Sequence, residues 1–166
     1  ALSRSPPTSA MAEWQAEGAV EFLGQRSDVL ALTQSADVVV LADGVNSTLA
    51  RKAGFHGELS PGNVALAVKE ILFLPEEVIQ SRFNIKEEEG VVIELMGKVT
   101  EGMVGTGFLY TNKDSLTIGV GCMLSDFKSN PLRTKPYELL EKLKKHPSIA
   151  PLIEGGEMKE YAAHLI

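Results

Sequence analysis

Ala42-Asp43-Gly44-Val45-Asn46-Ser47 is the stretch of this chain whose residue types and spacing best suit ligand chemistry. It closes an apolar, β-branched run, so Asp43 would stand at the carboxyl end of a strand, where open α/β sheets bind ligands. From there its carboxylate can accept hydrogen bonds from the hydroxyls of a sugar or a ribityl chain. Gly44 beside it lets the backbone approach a ligand closely, because no Cβ intervenes. Capping of the following helix by Asp43 is the other reading, and so short a pattern leaves both open.

Other chemistries lack their constellations. No G-x-x-x-x-G-K-[ST] phosphate loop exists, since Gly97-Lys98 has Val92 where the first glycine is needed and Val99 where Ser or Thr is needed. No G-x-S-x-G elbow is present, so Ser/His/Asp hydrolysis has no anchor. His56, His146 and His164 are isolated, and no spacing pairs them with Cys122 or with each other as metal ligands. Cys122 follows Gly119-Val120-Gly121 inside an apolar run and reads as a small buried hydrophobe rather than a nucleophile. Asn46-Ser47-Thr48 matches a glycosylation acceptor, but a secreted destination is not expected and the match is read as idle.

The elements that would position these residues follow from pattern. Ala10 to Gly18 reads as a helix, and Ala19 to Leu23 and Val29 to Leu32 as short strands. Asp37-Val38-Val39-Val40-Leu41 predicts a strand buried on both faces, as in a parallel sheet. Asn46 and Ser47 are good cap types for a short helix over Thr48 to Ala53, stopped by Gly54. From Asn63 the character changes. Asn63 to Leu74 predicts a long strand and Pro75 to Phe83 a helix with acids in its first turn. Val91 to Met96, Met103 to Thr111 and Ser115 to Leu124 predict three strands, the last two joined by a short hairpin connection and hence antiparallel. Pro136 to Lys145 is an amphipathic helix with Tyr137, Leu140 and Leu143 about one turn apart. Pro147 to Ile153 reads as a second short helix, and Met158 to Ile166 as a final strand.

Composition agrees with an ordinary globular chain. Of 166 residues, 44% are hydrophobic and 23% charged. A net charge of −6 without a clustered basic face argues against nucleic-acid binding. Lys142-Leu143-Lys144-Lys145 reads as a solvated helix end, where cations suit the dipole. Apolar stretches fall far below the ~20 residues of a membrane helix, and no basic amphipathic helix suggests membrane docking by this segment. A single cysteine makes a reducing cytoplasm the default location.

Asp37 to Phe55, D-V-V-V-L-A-D-G-V-N-S-T-L-A-R-K-A-G-F, resembles the second flavin-contacting motif of the para-hydroxybenzoate-hydroxylase-like FAD enzymes. Within that group it is most similar to FixC-type proteins, relatives of electron-transfer-flavoprotein:quinone oxidoreductase and geranylgeranyl reductase. The likeness continues through Val68-Lys69-Glu70, Ile79 to Phe83, Leu116 to Leu124, Lys135 to Leu140, His146 to Ile153 and Glu160 to Ile166. From Ala36 onward it is nearly continuous. The first thirty-five residues share little beyond a W-x-A-E element at Trp14.

The resemblance implies an α+β fold with an α/β remnant. A partial FAD-binding βα unit over residues 1–62 would precede an antiparallel-sheet domain with helices over 63–166, which covers the flavin ring and forms the substrate pocket. It implies FAD as cofactor, with Asp43, Gly44 and Ser47 near its ribityl and pyrophosphate region. The implied activity is electron transfer from a donor such as electron-transfer flavoprotein to an acceptor such as quinone. Plain electron transfer asks no side chain to act as acid or base, so no catalytic residue is expected. A pocket between sheet and helix would be lined by Phe73, Phe108 and Met123, for which ordinary core packing is the other reading.

The departures matter as much. Gly105-Thr106-Gly107 and Gly119-Val120-Gly121 lack the third glycine of G-x-G-x-x-G and are read as preceding no helix. The family's last G-D motif and the iron–sulfur cysteines of the quinone-linked relatives are also missing. The chain is therefore expected to be the middle piece of a larger flavoprotein, with FAD retained by the parent rather than by this piece. An isolated, non-catalytic sheet domain that binds a ligand or partner is the alternative.

Overall fold

A computed structural model describes residues 21, 27–42, 44–55 and 57–166. The chain divides into two compact units, Ala1–Leu41 and Ala42–Ile166. The expected helix over Ala10 to Gly18 and most of the strand over Ala19 to Leu23 lie outside the described residues, as do Asp43 and His56.

Two expectations fail in the first unit. Val29–Ser35 is a helix, α1, and not a strand. Its leucines and alanine are good helix formers, and the segment lacks the alternation that a half-buried strand needs. No strand forms over Ala36 to Ala42, where Val38 is 79% and Val40 84% exposed. A run buried on both faces needs strands beside it and layers above and below, and the described residues of this unit supply neither.

The second unit follows the sequence closely. After α2 (Thr48–Lys52) come β1 (Ala65–Phe73), α3 (Glu76–Phe83), β2 (Val92–Leu95), a 3-10 turn (Lys98–Thr100), β3 (Gly105–Thr111) and β4 (Ser115–Met123). Then follow α4 (Leu124–Ser129), α5 (Pro136–Lys144), α6 (Ala150–Ile153) and β5 (Glu157–Leu165). The strands form one sheet in the order β2-β3-β4-β1-β5, every neighbouring pair antiparallel. The β3–β4 connection is the short hairpin expected, closed by Asn112 N–H donating to the Ser115 carbonyl at 2.8 Å. The 3-10 turn and α4 had no sequence expectation. α4 does follow the Gly119-Val120-Gly121 run, but those glycines lie inside β4 and not in a strand-to-helix turn.

Alternation decides which side of the sheet is covered. Val68 and Leu72 of β1, Leu109 of β3, and Leu116, Ile118, Val120 and Cys122 of β4 share one core with Ile79 of α3, Leu139, Leu140 and Leu143 of α5, and Ile149. The helix stripe is thus shifted from the expected one: Leu139 replaces Tyr137, which stays 54% exposed. Pro136 opens α5, and the Glu138 carboxylate accepts the Lys135 N–H at 2.6 Å, satisfying a donor at the helix start. Arg82 holds the far end, donating to the carbonyls of Leu152 at 3.1 Å and Glu154 at 2.6 Å. Among the described residues of this unit, no helix contributes to a core on the opposite face.

Candidate functional site

Directly paired residues of antiparallel strands present their side chains on the same face. The register therefore lays out the helix-free face in rows. One row runs Glu94, Phe108, Gly119, Lys69 and Ala162 across all five strands. The flanking rows are Thr106, Gly121, Ala67, His164 on one side, and Val92, Tyr110, Thr117, Ile71, Glu160 on the other. Glycine and alanine keep the middle of this surface low.

Gly119 is there for a steric reason. A Cβ on it would lie 2.2 Å from Phe108 Cζ and 2.7 Å from the Val68 carbonyl oxygen. Phe108 thus lies across the bare backbone of β4, and Tyr110 stacks beside it with centroids 6.1 Å apart and planes 19° from parallel. The result is a flat floor with an aromatic wall. A groove of about 500 Å³ follows this wall, lined by Ala67, Lys69, Phe108, Tyr110, His164 and Ile166, with Val92 and Glu94 at the β2 end. A second cavity, of about 350 Å³, runs beside Val45, Phe55, Gly57 and Asn63, and Ile166 lines it too. Ile166 thus lines both hollows.

Gly44, at the turn, has φ +74°, a conformation suited to glycine, and a Cβ on it would meet nothing within 4 Å. Ser47 is buried, holds the cap position of α2 and makes no side-chain cap bond. Asp43 lies outside the described residues. Of the three pocket residues, Phe108 lines the groove, but on the helix-free face and not between sheet and helix. Glycine at position 119 permits this placement, whereas the space under the helices is filled by leucine and isoleucine. Phe73 is 40% exposed at the end of β1, with Lys159 Nζ 5.6 Å from its ring centre. Met123 ends β4, paired with Ala65. Neither lines the groove with Phe108.

Lys69, Tyr110, His164 and Ile166 escape the sequence reading. Lys69 carries a signal nonetheless, because it and Glu70 form a charged pair in the middle of an apolar strand. Neighbours in a strand point to opposite faces, so each needs its own explanation. Glu70 faces the core, where Lys144 Nζ lies 2.8 Å from its Oε2 in an ion pair, and Lys144 also binds Glu141 at 2.8 Å. Burial pulls the Lys144 ammonium pKa down, but the Glu141 and Glu70 carboxylates outweigh it and the net direction is up. Cys122 behaves as expected: burial, then the charges of Asp126 and Glu101, push its thiol up to about 11, so it is protonated and inert at neutral pH. Among the described residues, no group of His, Cys, Asp and Glu could hold a metal ion.

The comparisons agree with the geometry. Residues 65–166, which contain the whole sheet, match the model of the ETF-QO ubiquinone-binding family. The chain belongs to that family. It is 62% identical over 146 residues, 88% of its length, to Protein FixC of Azotobacter vinelandii, of which it covers 33%. To Protein FixC of Rhizobium meliloti it is 53% identical over 154 residues, 93% of this chain and 34% of the relative. To a probable electron transfer flavoprotein-quinone oxidoreductase, YdiS of Escherichia coli, it is 46% identical over 131 residues, 79% of this chain and 30% of the relative. The chain thus spans about a third of the length of the curated relatives it matches. The resemblance stated from the residues is borne out, as is the antiparallel α+β fold. No described helix is long and apolar enough to cross a membrane.

Proposed function

We propose that this chain is the ring-covering part of an FAD-dependent oxidoreductase that takes electrons from a protein donor, such as electron-transfer flavoprotein, and passes them to quinone. The observation that carries this reading is the helix-free sheet face. Its glycine and alanine floor, with Phe108 laid over Gly119, suits a planar ring. The family match and the relative named as an electron transfer flavoprotein-quinone oxidoreductase support it.

FAD fits the residues present. The open, left-handed Gly44 admits a chain of phosphates or hydroxyls close to the backbone, and Ser47 follows three residues on. The hollow beside Val45 and the sheet groove share Ile166 in their lining, which supports a ligand longer than a single ring. We assign Gly44 and Ser47 to the flavin's ribityl and pyrophosphate side, and with them Asp43, outside the described residues, on the resemblance of its motif alone. When bound, FAD supplies the redox chemistry, and the chain's own residues orient and shield the ring. A reducing cytoplasm is proposed as the location, supported by the single, buried thiol.

The test uses the full-length protein. Purified in the dark, it should carry flavin, and after anaerobic reduction a short-chain ubiquinone should reoxidise that flavin in a saturable way. A colourless protein that neither takes up FAD nor responds to quinone sinks the proposal.

A further inference from the structure

Lys69 is a cation of the sheet face that no described residue pairs. It is half-buried at the centre of β1, and its direct cross-strand neighbours are Gly119 and Ala162, neither of which offers a polar side chain. Among the described residues its ammonium has no carboxylate or hydrogen-bond partner. Glu94 lies in the same row but three strands away, about 14 Å at ~4.8 Å per strand. His164 and Glu160 belong to the flanking rows. Glu70 next door has its Lys144, so a lone charge is not the rule here. An ammonium held on an open face with no ion pair among the described residues is available to donate to an oxygen of a ligand.

The surroundings say what kind of ligand. The floor is flat, the wall is aromatic, and Lys69 is the one lysine or arginine among the described residues that line the groove. We propose that Lys69 is the positioning residue for the redox ring seated on this face. Its Nζ donates a hydrogen bond to a ring carbonyl oxygen and stabilises the negative charge which that oxygen gains on reduction. A neutral quinoid ring that accepts two electrons, from the protein donor of the proposed activity, and one proton from water carries one net negative charge. A second proton from water neutralises it. A charge-assisted hydrogen bond to that oxygen is stronger than a neutral one, so it favours the reduced ring. Flavin and quinone both carry such carbonyls, and the experiment separates them.

This inference rests on the function proposed above. In the full-length, FAD-loaded protein, Lys69→Gln removes the charge and Lys69→Arg keeps it. Two readouts besides turnover are needed: the flavin midpoint potential, and the affinity of the oxidised protein for a short-chain ubiquinone. If the ring over Lys69 is flavin, Lys69→Gln lowers the potential by about 30 mV, the two-electron equivalent of a tenfold loss, and leaves quinone affinity unchanged. If the ring is quinone, affinity falls about tenfold or more and the potential stays. Lys69→Arg recovers most of either loss. Wild-type protein that holds FAD and binds quinone, with both quantities unmoved in Lys69→Gln, overturns the role of Lys69 and leaves the proposed function standing. Wild-type protein with neither property overturns both. Should Lys69→Gln fail to fold, Lys69→Met takes its place, and wild-type potential and affinity in that variant would also overturn the role of Lys69.

Discussion

Lys69 and Glu70 are adjacent, both charged, and both set in an apolar strand, yet the pleat sends them to opposite fates. Glu70 is neutralised in the core by Lys144, whereas Lys69 keeps its charge on the open face. On the helix side, Glu101 pairs with Lys142. The Glu101 carboxyl is held below its ordinary value of 4.5, first by the hydrogen bond from Lys142 and then by that from Thr134. A folded state that binds this proton more weakly than the unfolded chain is stabilised above the ordinary carboxylate range. That contribution is lost as pH falls through the depressed value. Glu101→Gln should therefore unfold at lower urea than wild type near neutrality, with the gap closing in acid. A gap independent of pH would mean that the Lys142 pairing does not report on folding.

At the scale of elements, β3 and β4 work as a pair. Phe108 lies where the side chain of residue 119 would otherwise be, so glycine there is demanded by a neighbour and not by backbone conformation. Gly119→Ala should cost ~1–3 kcal/mol, the usual range for overpacking. The ring can move but the Val68 carbonyl cannot, so adding Phe108→Ala should recover part of the loss and not all of it. Urea unfolding of the two single variants and the double variant measures this, and a fully additive result would remove Phe108 as the obstacle. The same pair shows what the sequence could and could not disclose. Strand positions, the hairpin and both long helices were legible, because alternation, Pro75, Pro136 and the turn residues mark them locally. The site was not. Phe108 and Gly119 become partners only through register, and which face the helices cover depends on how α3 and α5 return over the sheet. Sequence alone placed Phe108 under the helices, but the core there is already filled by Leu139, Leu140 and Leu143.

At the scale of the molecule, the segment Ala36 to Ala42 is the informative failure. Its valines call for burial on both faces, yet Val38 and Val40 lie open and no strand forms. The relatives are about three times as long as this chain, so the partners such a strand needs have room to exist in the parent flavoprotein proposed above. If they do, one substitution should have opposite effects in the two contexts. Val39→Lys in the 166-residue chain puts a charge into an exposed, β-branched stretch that favours intermolecular pairing. It should raise the concentration at which light scattering sets in, while leaving the unfolding of the sheet unit unchanged. In the full-length protein the same lysine would enter a buried strand without a partner. It should lower stability by about 3 kcal/mol or more and reduce the flavin recovered with the folded protein. A full-length variant that melts with wild type and keeps its flavin would show that this run is a surface segment in the parent as well. The D-G turn after it would then have no buried strand to position it against a dinucleotide.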